Sequence, residues 1–240
     1  MVDNINLREA ITEGTVLCFD KPYGWSSFDV VNKFRMLARH ALGIKKVKVG
    51  HAGTLDPLAT GLLILCTGKQ TKSIEGFQEQ EKEYTGIFTL GQTTPSFDLE
   101  TLPDASFPTV HIHAQMLADA AISLTGVHEQ IPPLFSAKKV DGKRAYTIAR
   151  QGGFTELKPK SITISVFEIT HFEMPDVAFR VVCSKGTYIR SLARDFGVAL
   201  GSGAYLKALR RTKIGSFDVA DAWNLESFEK QLRNSENLQI

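Results

Sequence analysis

A chain of 240 residues, 43% hydrophobic and 22% charged, is long enough to bury a sizeable core in one large domain or two lobes and reads as an ordinary globular protein. Its start, Met1-Val2-Asp3-Asn4-Ile5, lacks the basic and apolar regions of a signal peptide, and no apolar run reaches the length of a membrane span, so a cytoplasmic protein without membrane contact is expected. The net charge of +2 excludes little, because it averages over basic and acidic stretches that separate along the chain.

Residues 15–19 predict a short buried strand closed by the turn Asp20-Lys21-Pro22-Tyr23-Gly24. Ser26 or Ser27 then caps a helix whose apolar positions Val30, Val31, Phe34, Leu37 and Ala38 follow the helical period and which ends near Gly43. A strand over 46–49, a loop over 50–57 and an apolar strand over 62–66 follow. Further strands are predicted over 83–90, 160–172, 177–183 and 205–215, and helices over 113–124 and 225–232. Residues 130–153 form a Pro-led basic insertion that ends in a helix over 144–151. Thr187 caps the clearest helix of the chain, with Ile189, Leu192, Ala193, Phe196 and Leu200 on one face. Strands and helices mix without a regular βαβ repeat, which favours an α+β protein, with residues 1–240 forming one domain.

The charge separates sharply. Eight Lys or Arg residues between Lys33 and Lys72 surround a single acid, Asp56, and two more basic stretches run from Lys138 to Lys160 and from Lys185 to Lys213. Clustered cations suit a phosphate backbone, although such runs are more often solvated faces. Cys18, Cys66 and Cys183 are far apart in apolar runs and suggest buried thiols, neither a disulfide framework nor a metal site.

Asp56 is the carboxylate that stands out. Pro57 restricts it to extended backbone, and Gly50 and Gly53 let a ligand approach the chain closely. An Asp-Pro pair in a loop is usually only a turn. The surrounding run Gly50-His51-Ala52-Gly53-Thr54-Leu55-Asp56-Pro57-Leu58-Ala59-Thr60-Gly61, however, strongly resembles the catalytic motif of the bacterial tRNA pseudouridine-55 synthases. The resemblance continues in order through Lys21 to Ser27, Lys82-Glu83-Tyr84, Gln130 to Ala137, Gly186-Thr187-Tyr188-Ile189-Arg190 and Leu209-Arg210-Arg211, covering residues 15–217.

That resemblance implies a pseudouridine synthase fold, a mixed and mainly antiparallel sheet flanked by helices, acting as a monomer on the T arm of tRNA without a guide RNA. It implies Asp56 as the catalytic group, with Tyr188 and Arg190 beside it and with His51, Tyr84, Tyr188 and Leu209 on the target nucleotide. Arg190 is expected to keep the Asp56 carboxylate ionised, and its loss to leave folding almost unchanged, because the apolar ladder anchors its helix. Tyr84 is the expected stacking platform for a base taken out of its helix. Lys138, Lys139, Lys143, Arg144, Arg210 and Arg211 are the expected RNA-binding cations. Neither metal nor organic cofactor is expected, since the isomerisation involves no net redox or group transfer.

Two departures from the family pattern stand out. Residues 91–100 lack the Asp that usually follows the first Thr of that loop, which makes Asp98 the candidate replacement. The chain also ends at Ile240, so no separate C-terminal RNA-binding domain is expected and the grip on RNA falls to the catalytic part. The rivals to this reading are an RNA-binding folding factor that clamps the T arm without turnover, and a synthase acting on another RNA.

Overall fold

The structure is a computed structural model that describes residues 7–136, 139–140, 143–144, 146, 153, 155 and 157–236. Contacts divide it into two compact units, one of Met1–Lys82 with Arg210–Ile240 and one of Glu83–Leu209. In chain order the first carries α1 (Leu7–Glu13), β1 (Val16–Lys21), α2 (Ser27–Ala41), β2 (Val49–His51), β3 (Ala59–Thr67), a 3-10 turn (Gly68–Ser73) and α3 (Ile74–Glu79). The second carries β4 (Lys82–Leu90), β5 (Gln92–Thr93), β6 (Ala105–Ser106), α4 (Ala114–Ser123), β7 (Gly126–Gln130), β8 (Lys139–Val140), β9 (Lys143–Arg144), β10 (Lys160–Glu173), β11 (Asp176–Cys183) and α5 (Ile189–Ala199). Strand β12 (Ala204–Ile214) gives its beginning to the second unit and its end to the first, which closes with β13 (Phe217–Asp218) and α6 (Leu225–Glu236).

In the first unit β1 pairs antiparallel with β3, Val16 opposite Cys66 through Lys21 opposite Gly61, and β2 pairs with the end of β3. Because side chains alternate across a strand, β3 feeds two apolar layers. Leu63 and Leu65 join Phe19, Phe34 and Phe228 under α2 and α6, while Leu62, Ile64 and Cys66 pack with Ala52 and Ile214 on the other face. Phe19 and Phe228 meet edge to face at 5.0 Å. Helix α2 begins with a capping box: Ser26 accepts from the Asp29 N–H, and the Asp29 carboxylate accepts from the Ser26 N–H.

In the second unit the strands lie in the order β12, β4, β11, β10, β7, with β10 antiparallel to both β11 and β7. Phe88, Phe167, Phe179 and Phe196 form its aromatic centre, Phe88 stacking on Phe179 at 4.0 Å. Here β10 departs from simple alternation. A register shift between Ile164 and Val166 inverts which positions face inward, so Ile162 and Ile164 are buried and then Phe167.

Three local expectations need correction. Thr187 does not cap α5: the cap position is Tyr188, without a side-chain bond, and the Thr187 hydroxyl donates to the Ser184 carbonyl at 2.9 Å. The strand expected over 46–49 is seen as β2, starting at Val49. In the insertion Arg144 stands on β9, paired with Lys139 of β8, whereas most of the helix expected over 144–151, and Lys138, lie outside the described residues.

Candidate active site

Asp56 lies half-exposed in the loop between β2 and β3, and its neighbours in the first unit hold the backbone on both sides of it. Its carbonyl accepts from the Ala59 N–H at 3.0 Å, closing a tight turn through Pro57. On the N-terminal side the Ser27 hydroxyl accepts from the Leu55 N–H at 2.8 Å and donates to the Leu55 carbonyl at 3.2 Å. Both backbone groups of the residue preceding the carboxylate are thereby tied to the first turn of α2. On the C-terminal side the Pro57 carbonyl accepts from the Gly24 N–H at 2.9 Å and from the Lys21 ammonium at 3.4 Å.

Lys21 is fully buried, and its ammonium also donates to the carbonyls of Trp25 at 2.6 Å and Pro22 at 3.1 Å. Burial pulls its pKa down to about 8, the Arg211 charge pulls the same way, and the Asp56 carboxylate resists. Lys21 and Ser27 were not among the expected site residues. A lysine closing a short apolar strand, directly before a proline, was the available signal.

Arg211 corrects an expectation. Grouped by sequence with the RNA-binding cations, it is only 1% exposed, and its guanidinium donates to the Leu62 carbonyl at 2.7 Å and the Gly53 carbonyl at 3.1 Å. A phosphate cannot reach it, and its role is to brace the loop that carries Asp56. Gly61 makes room for it: a Cβ at Gly61, where φ is +104°, would stand 2.2 Å from the Arg211 carbonyl oxygen. Arg210 is half-exposed and makes a two-pronged pair with Asp20, at 3.0 and 2.7 Å. His51, half-buried, has a buried Nδ1 without a hydrogen-bond partner. Burial and the Arg211 charge hold its imidazole below the usual histidine range, so the ring is neutral at physiological pH.

The second unit places the remaining expected residues. Tyr84 is buried on β4, and Leu209 is half-buried on β12. Tyr188, half-buried at the cap position of α5, is clamped through its backbone: its N–H donates to the Gln130 side chain at 2.8 Å, and its carbonyl accepts from that same amide at 3.1 Å. Gln130 was read only as part of a motif, yet this clamp fixes where α5 begins.

Arg190 is no surface cation at a helix start. It is 5% exposed, its Nε lies 3.5 Å from the Asp98 carboxylate, and its Nη1 donates to the Phe135 carbonyl at 2.9 Å. The loop that departs from the family pattern therefore supplies a partner for Arg190. It is shaped to do so. Phe97 adopts a left-handed backbone at φ +62°, its carbonyl accepts from the Leu206 N–H, and the hydroxyls of Thr94 and Ser96 donate to the Asp98 carbonyl. This burial argues against the expectation that removing Arg190 would spare the fold, since its loss leaves the buried Asp98 with one cation fewer. For Lys139, Lys143 and Arg144 only the backbone is described, a short hairpin of β8 and β9.

Among the described residues no helix is long and apolar enough to cross a membrane. The family model described as TruB family pseudouridylate synthase (N terminal domain) matches residues 39–189, and that of the tRNA pseudouridylate synthase B C-terminal domain matches residues 190–239. The chain is 55% identical over 224 residues to the tRNA pseudouridine synthase B of Phocaeicola vulgatus, covering 93% of this chain and 95% of that protein. It is 54% identical to that of Flavobacterium johnsoniae, covering 94% and 99%, and 46% identical to that of Chloroherpeton thalassium, covering 98% and 97%. Among solved structures it resembles an H/ACA RNP bound to a substrate RNA containing 2′-deoxyuridine, with a TM-score of 0.71 at 24% identity, over 98% of this chain and 58% of that one. It also resembles a Cbf5-Nop10-Gar1 complex, with a TM-score of 0.70 at 26% identity, over 95% and 60%. The α+β fold expected from the sequence is the fold these neighbours share.

Proposed function

The chain belongs to the TruB family of pseudouridylate synthases and forms pseudouridine in tRNA, and from that premise we propose that its target is uridine 55 of the T loop and its catalytic group Asp56. The observation that carries the assignment of Asp56 is the way its loop is held. Ser27, Lys21 and Arg211 fix the backbone at Leu55, Pro57 and Gly53 from three separate elements, yet the carboxylate between them stays half-exposed. A fold spends three side chains on one turn when the side chain at its apex must be aimed.

The reaction breaks the N1 to C1′ bond of the nucleotide and joins C1′ to C5; N1 gains a proton and C5 loses one, so the product is an isomer and no co-reactant is consumed. An ionised carboxylate serves as the nucleophile or base that opens this sequence and is released at its end. Tyr84 supplies an aromatic face for the displaced base, His51 and Leu209 border the nucleotide, and Tyr188 presents its hydroxyl near the sugar. Arg190 supplies positive charge for the chemistry, and Lys138, Lys139, Lys143, Arg144 and Arg210 supply it for the RNA backbone. The enzyme acts as a single chain in the cytoplasm, without a guide RNA.

The test is to incubate the protein with a T-arm stem-loop and with an unrelated hairpin and to map pseudouridine in each. Product in the stem-loop at the uridine corresponding to position 55 is expected. The Asp56→Asn variant should make none while binding tRNA within a few-fold of the wild type, because the amide keeps the shape but is a poor nucleophile and base. Product only in the unrelated hairpin would overturn the T-loop assignment, and near wild-type turnover by Asp56→Asn would remove Asp56 from the chemistry.

A further inference from the structure

The first unit carries a charged surface that the proposed site does not use. Between Val30 and Leu55 the sequence has six Lys or Arg residues and no acid. Lys33 is engaged by Glu229 at 2.8 Å. Arg39, Lys45, Lys46 and Lys48 are exposed, and among the described residues no carboxylate pairs with any of them.

Their placement is coherent. On α2 the positions Phe28, Asn32, Arg35 and Arg39 follow steps of four, three and four residues and so share one face of the helix. Phe28 is 57% exposed, the Arg35 guanidinium lies over its ring at 5.9 Å, and the Arg35 Nη1 donates to the Asn32 side chain. Arg35 also donates to the Val49 carbonyl at 3.3 Å, which fastens the segment around Lys48 alongside this face. In that segment Ile44 and Val49 turn inward and Lys45, Lys46 and Lys48 stay outside. The stripe runs for about 16 Å along the helix axis. It starts beside the first turn of α2, whose Ser27 holds the loop of Asp56.

We propose that this face of α2 together with the segment around Lys45, Lys46 and Lys48 is a second RNA-contact surface, which takes the phosphate backbone of the double-helical stem that flanks the target nucleotide. The inference rests on tRNA being the substrate. Charge selects the occupant: four unpaired cations with no acid among them suit a polyanion, and their extended arrangement suits the backbone of a stem better than a compact anion. Phe28 and Arg35 add a flat cationic edge of the kind that lies against a sugar-phosphate chain.

Replacing Arg39, Lys45, Lys46 and Lys48 by Gln in one variant removes the charge from exposed positions and leaves the core of α2 untouched. Measured by filter binding of tRNA over a salt series, affinity is expected to fall by about tenfold or more, and the log-log salt slope to shrink by about one unit for each lost contact. Lys230→Gln, an exposed cation on α6 of the same unit, should leave the slope as in the wild type. With a T loop carried on single-stranded tails in place of its stem, the difference between the wild type and the four-fold variant should vanish. An unchanged slope, an equal effect of Lys230→Gln, or a penalty that persists without the stem would each overturn the proposal. So would binding of phosphatidylserine vesicles that depends on these cations while tRNA affinity does not. Pseudouridine mapping on the wild type reads the substrate assignment separately: tRNA binding that needs this surface but yields no product would sink that assignment and leave the surface standing.

Discussion

Arg211→Met separates the two roles a basic residue in this chain can have. The substitution keeps most of the side-chain volume and strips the donors that now satisfy the Leu62 and Gly53 carbonyls. A hydrogen bond from a charged donor contributes about 1.5 to 3 kcal/mol, so two of them give about 3 to 6 kcal/mol. Some of this returns, because the variant no longer buries a guanidinium and no longer opposes the Lys21 ammonium, whose pKa the Arg211 charge lowers. A net destabilisation of about 2 to 4 kcal/mol is expected, which in urea lowers the unfolding midpoint by about 1 M for a chain with m of roughly 3 kcal/mol/M. Both tryptophans, Trp25 and Trp223, belong to the first unit, so their fluorescence follows the unfolding of the part that is perturbed. Turnover should fall with the loss of the brace on Gly53, while the salt slope of tRNA binding should stay that of the wild type, because a side chain 1% exposed touches no phosphate. An unmoved urea midpoint together with a slope shallower by about one unit would refute the reasoning and return Arg211 to the RNA-binding cations.

Two further predictions concern buried charges. Burial holds Lys21 at about 8, below its ordinary 10.5, so between about pH 8 and 9 the unfolded chain binds a proton that the folded chain has released, and stability rises with pH. Above about pH 9 the thiols of half-buried Cys18 and buried Cys66, pushed up to about 11, act in the opposite sense, because the unfolded chain loses those protons first. Urea midpoints should therefore climb from pH 8 to 9 in the wild type and lose that climb in Lys21→Met; the same climb in both would show that Lys21 is not the titrating group. In the second unit, Arg190→Ala should destabilise by about 3 to 5 kcal/mol through the buried Asp98 it abandons. Pairing it with Asp98→Asn should restore part of that loss in thermal melts, and a single variant that melts like the wild type would remove the pair from the account of the fold.

Much of the architecture was legible because it is written in apolar periods. The elements seen as β1, α2, β3, β4, α4, β11, α5, β12 and α6 were all expected from runs that alternate, recur at the helical period or stay apolar throughout. Helix α1 was missed because it is seven residues long and buries one of them, Ile11. The 3-10 turn and α3 were missed because neither buries any residue fully, so no apolar period marks them. The strand seen as β10 was legible only in part, since its register shift near Ile164 inverts the alternation halfway along.

The site was legible as a motif and illegible as a mechanism of support, and the two arginines at the end of Leu209-Arg210-Arg211 show why. Adjacent residues on a strand point to opposite faces, so the strand expected over 205–215 already implied that Arg210 and Arg211 could not both face a solvated partner. Composition and charge runs treat them alike, because a charge count carries no direction. What sorts them is which face of β12 the core occupies, and that is set by residues far away in sequence: Gly61 lets the strand come close, and the carbonyls of Leu62 and Gly53 receive the inward guanidinium. Arg210, turned the other way, meets Asp20 at the surface. The same logic applies to Arg190. As a cation in the first turn of a helix it gains nothing from the helix dipole, and only the left-handed turn at Phe97, invisible to any local pattern, brings Asp98 within reach of it. Residues that touch substrate carry their chemistry in their type and can be proposed from sequence. Residues that aim them act through backbone carbonyls contributed by other elements, and a donor's type does not say which carbonyl it serves.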